Sequence, residues 1–185
     1  MHHHQANAWK GLAAGLVAGL AATYVMTRFQ ELSGKLEKKL KEDDDAHHPQ
    51  HSAKRGKPES AEKRKEGDDA TVKAAAAISR GLFDHELSRE EKKVAGPAMH
   101  YSFGALTGAM YGALAELAPE VTRGAGAPFG TAVWLGADEV AVPAFRLSGP
   151  PWETPPSVHA RALAAHLVYG LTTEGVRRLT RRLME

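Results

Sequence analysis

The stretch Trp9–Phe29, WKGLAAGLVAGLAATYVMTRF, decides the fold. It carries no charge between Lys10 and Arg28. A helix rises about 1.5 Å per residue, so roughly 20 apolar residues cross a hydrocarbon layer about 30 Å thick. Gly11, Gly15 and Gly19 recur at every fourth position and lay a smooth stripe down one side. In lipid such a stripe admits another helix to backbone contact. The same spacing returns at Gly104, Gly108 and Gly112, inside a second uncharged stretch from Val94 to Ala115. Two glycine zippers in two segments of bilayer length predict an integral membrane protein.

Composition alone points the other way. The 185 residues are 43% hydrophobic and 25% charged, with mean hydropathy −0.37, the average of a soluble protein. The average misleads because most of the charge falls between Arg28 and Lys93. What remains is sparse enough in charge for four helices. There is no cysteine, so neither a disulfide nor a thiolate metal site is available. The first apolar run is longer than the core of a signal peptide, and Arg28-Phe29 follows it instead of a small-x-small cleavage site. It reads as a retained anchor.

The expected organisation is an all-α, four-transmembrane-helix bundle with a long polar, partly disordered loop after the first helix. Residues 1–8 form a tail and 9–29 the first span. Residues 30–87 are a charged extramembrane loop that opens as a helical continuation, QELSGKLEKKLKE, with Leu32, Leu36 and Leu40 on one stripe. Asp43–Asp69 is a hydrophilic linker with little to bury, and VKAAAAISRGLF is a short helix ended by Gly81. Ser88 and Glu91 have the spacing of a capping box, which starts the second span, 88–118, kinked at Pro97. The third span, 124–146, holds Asp138 and Glu139, each costing about 2.5–3.5 kcal/mol near a bilayer centre. It therefore inserts only with partners, and three spans is the fallback. Thr154-Pro155 predicts the start of the fourth, 155–183, which ends in a basic extension. Arg177, Arg178, Arg181 and Arg182 near the C-terminus place both termini in the cytoplasm under the positive-inside rule.

The second half resembles a known family. Met99-His100-Tyr101-Ser102-Phe103, leading through Tyr111-Gly112 to Ala115-Glu116-Leu117-Ala118-Pro119, is similar to the second spanning helix of the YagU-like proteins. The likeness continues through Glu139 and Pro143, the Leu147-Ser148-Gly149-Pro150-Pro151 turn, Ala165–Gly170 with Glu174, and the basic tail to Arg182. The resemblance implies a small protein of the bacterial inner membrane and names no biochemical activity. The His-bearing linker has no counterpart in it.

Ionisable side chains inside spans are costly and so face a bundle interior or water. Here they form two groups. An intramembrane polar cluster of His100, Asp138, Glu139, His159 and His166 is expected towards the outer half. Inner-rim ion pairs are expected from Glu116 with Arg123 and Glu174 with Arg177 or Arg178. His159 and His166 are two helical turns apart and share a face.

Three readings of the outer group stay open: interhelical hydrogen bonding, a proton path or pH sensor, and a metal or haem site whose spacing matches no established ligand motif. Nothing resembles a phosphate-binding loop, a nucleophile elbow or an H-E-x-x-H site. The expectation is a non-enzymatic structural or stress-response membrane protein, pH-sensing through buried His and acids. The alternative is a small proton- or ion-conducting transporter or channel. No cofactor, metal or nucleic-acid partner is expected. The partners are the lipid bilayer and, through the glycine stripes, a second copy of the chain.

Overall fold

The helix that opens the chain runs well past one bilayer length. In the computed structural model, which describes residues 7–47 and 69–184, α1 continues unbroken from Ala8 to His47. Beyond Phe29 it is built mainly from Glu, Lys and Leu, good helix formers with no proline among them. Arg28–Glu31 and Lys38–Glu42 add ion pairs at helical spacing.

Four helices follow. α2 spans Ala70–Phe83, α3 Arg89–Leu117 and α5 Pro156–Leu183. Between the last two, α4 begins as Ala127–Trp134, widens into a π-helical segment over Leu135–Ala141 and closes with Val142–Ala144. Among the described residues there is no strand, so the all-α expectation holds. Of the linker expected over 43–69, Asp43–His47 belongs to α1. The rest, residues 48–68, lies outside the described residues, as do residues 1–6.

Local sequence explains most of the ends. Ser88 Oγ accepts from the Glu91 amide at 3.3 Å, while the Ser88 amide donates to Glu91 Oε2 at 2.7 Å, which completes the expected capping box. α2 is capped by Asp69, whose side chain accepts from the Val72 amide at 2.9 Å. It runs two residues past Gly81 and stops at Asp84, which takes the left-handed conformation (φ 48°). α5 starts at Pro156, one residue later than expected. Thr154 makes no side-chain cap there, and Pro155 already holds extended backbone before the helix. α3 continues through Pro97.

α1 packs against both α3 and α5, α4 against α5, and α2 against α3. The α1–α3 seam is antiparallel: Gly11 faces Gly112, Gly15 faces Gly108 and Gly112, and Gly19 faces Gly104 and Gly108. A Cβ on Gly15 would stand 2.9 Å from Gly112 Cα, and one on Gly108 2.6 Å from Gly19 Cα. Both stripes that the sequence offered to a second copy therefore cover each other within the chain. A second seam of this kind joins α4 to α5. Gly126 and Gly130 lie against Gly170, where a Cβ would come within 2.8 Å of Gly130 Cα. Gly126 also takes φ 89°, a conformation that favours glycine.

The interior is unusual in kind. The buried hydrophobic residues are alanines (14, 18, 22, 109, 115 and 165) with Met26, Tyr111 and Tyr169. No Leu, Ile, Val or Phe is among them. Thr23, His166, Thr173, Glu174, Arg177 and Arg181 are buried beside them. The large apolar side chains point out: Leu16, Val17 and Leu20 on α1, Phe103, Leu106, Met110 and Leu114 on α3, Val140 on α4, Phe145 in the turn after it, and Leu171 and Leu179 on α5.

Among the described helices only α1, over Ala8–Leu40, is both long and apolar enough to cross a membrane by itself. Of the four spans expected from the sequence, length and apolarity alone support this one. α3 has the length, at 29 residues, but its Gly, Ala, Ser and His dilute its hydropathy. α4 carries Asp138 and Glu139, and α5 carries Arg161, Glu174 and a run of arginines.

Gly15→Ala is expected to lower stability by about 1–3 kcal/mol through overpacking of the seam. Gly34→Ala, with nothing within 4 Å of the added methyl, should raise it by about 0.5–1 kcal/mol through helix propensity. Thermal unfolding of the detergent-solubilised protein reads both, and equal effects at the two positions would remove the seam as the cause.

Candidate functional site

α5 turns one continuous stripe inward: His166, Tyr169, Gly170, Thr173, Glu174, Arg177 and Arg181. These positions recur at helical spacing, so one face of α5 supplies most of the buried polar groups. They form two clusters, one at each end of the bundle.

The first lies where α1 begins and α5 ends. Glu174, 1% exposed, accepts at Oε2 from the Tyr111 hydroxyl at 3.0 Å and from Arg177 Nε at 2.7 Å. Its Oε1 accepts from Arg177 Nη2 at 3.1 Å and from Arg178 Nε. Glu116 on α3 receives Arg181 as a two-pronged fork, Nε to Oε1 at 2.8 Å and Nη2 to Oε2 at 3.2 Å. Arg177 Nη1 stands 3.9 Å from Glu116 Oε1 and joins the two pairs. The Asn7 amide donates to Glu116 Oε2 at 3.4 Å, and Lys10 Nζ donates to the Met184 carbonyl at 2.9 Å. One network thus ties α1, α3 and α5 together.

Glu116, Glu174 and Arg177 meet as the sequence predicts, but Arg123 does not join them. It is exposed in the turn after α3, while Arg181 reaches across from α5 to Glu116. Tyr111 and Arg181 were missed as site residues. The available signal was the spacing Glu174-Arg177-Arg181, which sets all three on one helical face.

The second cluster lies where α4 ends and α5 begins. His159 Nδ1 is 2.6 Å from Glu139 Oε1, and its Nε2 is 3.0 Å from the Pro151 carbonyl. Both ring nitrogens face acceptors, an arrangement that the doubly protonated imidazolium satisfies on both sides. His166 Nδ1 is 2.9 Å from the Ala162 carbonyl and 3.7 Å from Asp138 Oδ2. The π-helical segment holds the two consecutive acids, and both turn towards α5. His100 on α3 lies within electrostatic reach of His166 and Asp138 and meets Tyr101 edge to face at 6.2 Å. Among the described residues no three His or acidic groups converge to hold a metal ion.

Between the clusters lies an aromatic layer. Phe129 stacks on Tyr111 at 4.3 Å and tilts against Tyr169 at 5.8 Å. The Tyr169 hydroxyl donates to the Gly104 carbonyl at 2.6 Å and meets Thr107 Oγ1 at 2.9 Å. Sequence reading passed over Phe129, Tyr169 and Thr107, which sit in apolar surroundings with no charged signal beside them.

Glu91 lies at the N-terminus of α3, before the uncharged stretch. The hydrogen bond from the Ser88 amide, with the Ser88 hydroxyl and His85 adding, holds its carboxyl down at about 2.

With that geometry in place, the comparisons bear on the chain. Residues 78–175, just over half of it, match the family described as Protein of unknown function (DUF1440). The chain belongs to this family. No curated protein matches it, and no solved structure does. The matched segment runs from α2 to Gly175 and so takes in the His/acid cluster, the aromatic layer and the first half of the Glu/Arg network.

Glu174→Ala leaves Arg177 buried without its two-pronged partner and is expected to cost about 3–5 kcal/mol. Arg123→Ala, outside the network, should cost under about 0.5 kcal/mol. Chemical unfolding in detergent compares them, and similar losses would deny the network its role. A second prediction concerns pH. The folded Glu91 carboxyl titrates near 2 and the unfolded one near 4.5, so the unfolded state takes up the proton first. The cap's contribution is full above about pH 4.5 and fades as pH falls through about 2. A carboxyl carbon titration by NMR should place the midpoint near 2, and Glu91→Gln should flatten the pH dependence of melting across that window.

Proposed function

We propose that this chain is a four-span integral protein of the bacterial inner membrane, structural or stress-response in type, with no catalytic centre. Its buried Glu/Arg network and His/acid pairs hold the helices together, and the His/acid pairs sense pH. One observation carries the reading. Small and polar residues, with Met26 and two tyrosines, fill the interior while Leu, Val and Phe coat the outside. In water that distribution would expose a large apolar surface. In lipid the same side chains meet hydrocarbon, and ionisable groups are kept to the interior.

Lipid also supplies the solvent that lets α3, α4 and α5 insert beside α1. Their acids and arginines are satisfied by one another before any of them meets hydrocarbon. The likeness of His100–Arg182 to the YagU-like proteins supports an inner-membrane location. Orientation follows from charge: Lys10, Arg178, Arg181 and Arg182 gather at the end where α1 starts and α5 stops, which favours cytoplasmic termini.

The second reading, a proton or ion conductor, draws on the same polar column. Thr107, Tyr169 and Thr173 lie between the two clusters and continue it. Against it stands Phe129, stacked between Tyr111 and Tyr169. Conduction would need that ring to move.

Alkaline carbonate extraction should leave the full chain in the membrane pellet, and release to the supernatant overturns the membrane reading. An alkaline phosphatase fusion near Pro58 should be active and one after Glu185 silent. Purified protein in liposomes should pass no protons between about pH 5 and 8. Flux that Glu139→Gln and His166→Ala both abolish would establish the conductor instead.

A further inference from the structure

At the end of the bundle away from the Glu/Arg network, α2 lies beside the start of α3 and the turn that leaves α4. Lys73 Nζ donates to the Leu147 carbonyl at 2.9 Å and ties α2 to that turn. The three elements enclose a cavity of about 340 Å³. Its charged lining is Lys73, Arg80, Lys92 and Arg146 against a single acid, Glu86. Glu90 pairs with Lys93, and Glu91 with Ser88 and His85.

The volume is at the lower end of the range for small-ligand sites, about 300–1,000 Å³. Lys73, Arg80 and Arg146 around one carboxylate call for an anion with several acceptor oxygens, and a phosphate answers that geometry. The surroundings indicate what the phosphate is attached to. Leu82 and Phe83 follow Arg80 in the last turn of α2, and Phe145 immediately precedes Arg146; all three are about 75% exposed. Val94, on the first turns of α3, is 69% exposed. A free inorganic anion has no use for exposed apolar side chains next in the chain to its ligands, whereas acyl chains do.

We propose that this cavity binds the phosphate headgroup of an anionic phospholipid, with the acyl chains lying over Leu82, Phe83 and Phe145. The site is separate from both polar clusters of the bundle. It rests on the membrane reading only in that a bilayer supplies the lipid. Arg80 from α2 and Arg146 from the turn after α4 hold the phosphate, Lys73 braces that turn, and Glu86 excludes a second anion.

The test uses the full chain in a neutral detergent, titrated with short-chain phosphatidylglycerol, short-chain phosphatidylcholine and inorganic phosphate. Saturable one-to-one binding of phosphatidylglycerol is expected, with phosphatidylcholine and phosphate much weaker. One basic residue near a lipid surface is worth about five-fold in affinity. Arg80→Gln with Arg146→Gln should therefore weaken binding about 25-fold, and Arg123→Gln at the opposite end should leave it unchanged. Glu86→Gln should tighten binding about five-fold, which keeps the test alive should the double variant fail to fold. Equal binding of the two lipids, or wild-type affinity in both the double variant and Glu86→Gln, overturns the site. Inorganic phosphate binding as tightly as phosphatidylglycerol overturns the lipid as its source. Because the lipid is offered in solution, failure here leaves the carbonate result standing, and the reverse also holds.

Discussion

Backbone-to-backbone approach at glycine sets the terms for everything else in this bundle. Where α1 meets α3 and α4 meets α5, a single added Cβ would meet the main chain of the neighbouring helix. Helices held that close leave no room between them for Leu or Phe. Alanine fills the seams, and larger apolar side chains have only the outside to occupy. The inverted interior is therefore a consequence of helix separation, and the exposed apolar coat follows from it. A coat of that kind is tolerable against lipid and an aggregation liability against water.

A thin interior also fixes where polar groups can go. Side chains of arginine length lie at the end of the bundle where α1 begins and α5 ends. There Glu174 collects donors from Tyr111, Arg177 and Arg178 at once, and Glu116 takes the Arg181 fork. Burying such charges gains little net stability over a well-packed apolar alternative, because desolvation offsets most of the attraction. Breaking one partner away is a different matter, since the other is left charged in low dielectric. The network therefore favours one arrangement of α1, α3 and α5 over its competitors more than it deepens the well.

Much of this was legible in the chain because it depends on spacing. The glycine stripes at 11, 15, 19 and at 104, 108, 112 announced close packing, and Ser88 with Glu91 announced the start of α3. Glu174 with Arg177, and the face shared by His159 and His166, were equally plain. What escaped was pairing between helices. Glu116 has Arg123 near it in sequence and Arg181 near it in space, and local order favours the wrong one. Gly126, Gly130 and Gly170 passed unnoticed because the second seam takes glycines from two helices, so neither helix shows the full stripe alone. Phe129 looked like ordinary apolar filling, and only its stacking on Tyr111 gives it a position between the clusters. An uncharged stretch rich in Gly and Ala, as in α3, has the length of a span without standing out as apolar by itself.

The two polar clusters differ in chemistry as well as position. Arginine and glutamate keep their charges across the physiological range, so the lower network is a permanent tie. Histidine changes charge near neutrality, and the upper pairs, His159 with Glu139 and His166 with Asp138, are built from it. His159 also holds the Pro151 carbonyl, so its protonation bears on the turn that joins α4 to α5. The two tiers are separated by the Tyr111–Phe129–Tyr169 layer, which shares hydrogen bonds with both helices but carries no charge. A bundle so arranged can loosen at one end while staying locked at the other. That asymmetry fits the proposed sensor better than the alternative conductor, which needs both ends and the layer between them to move together.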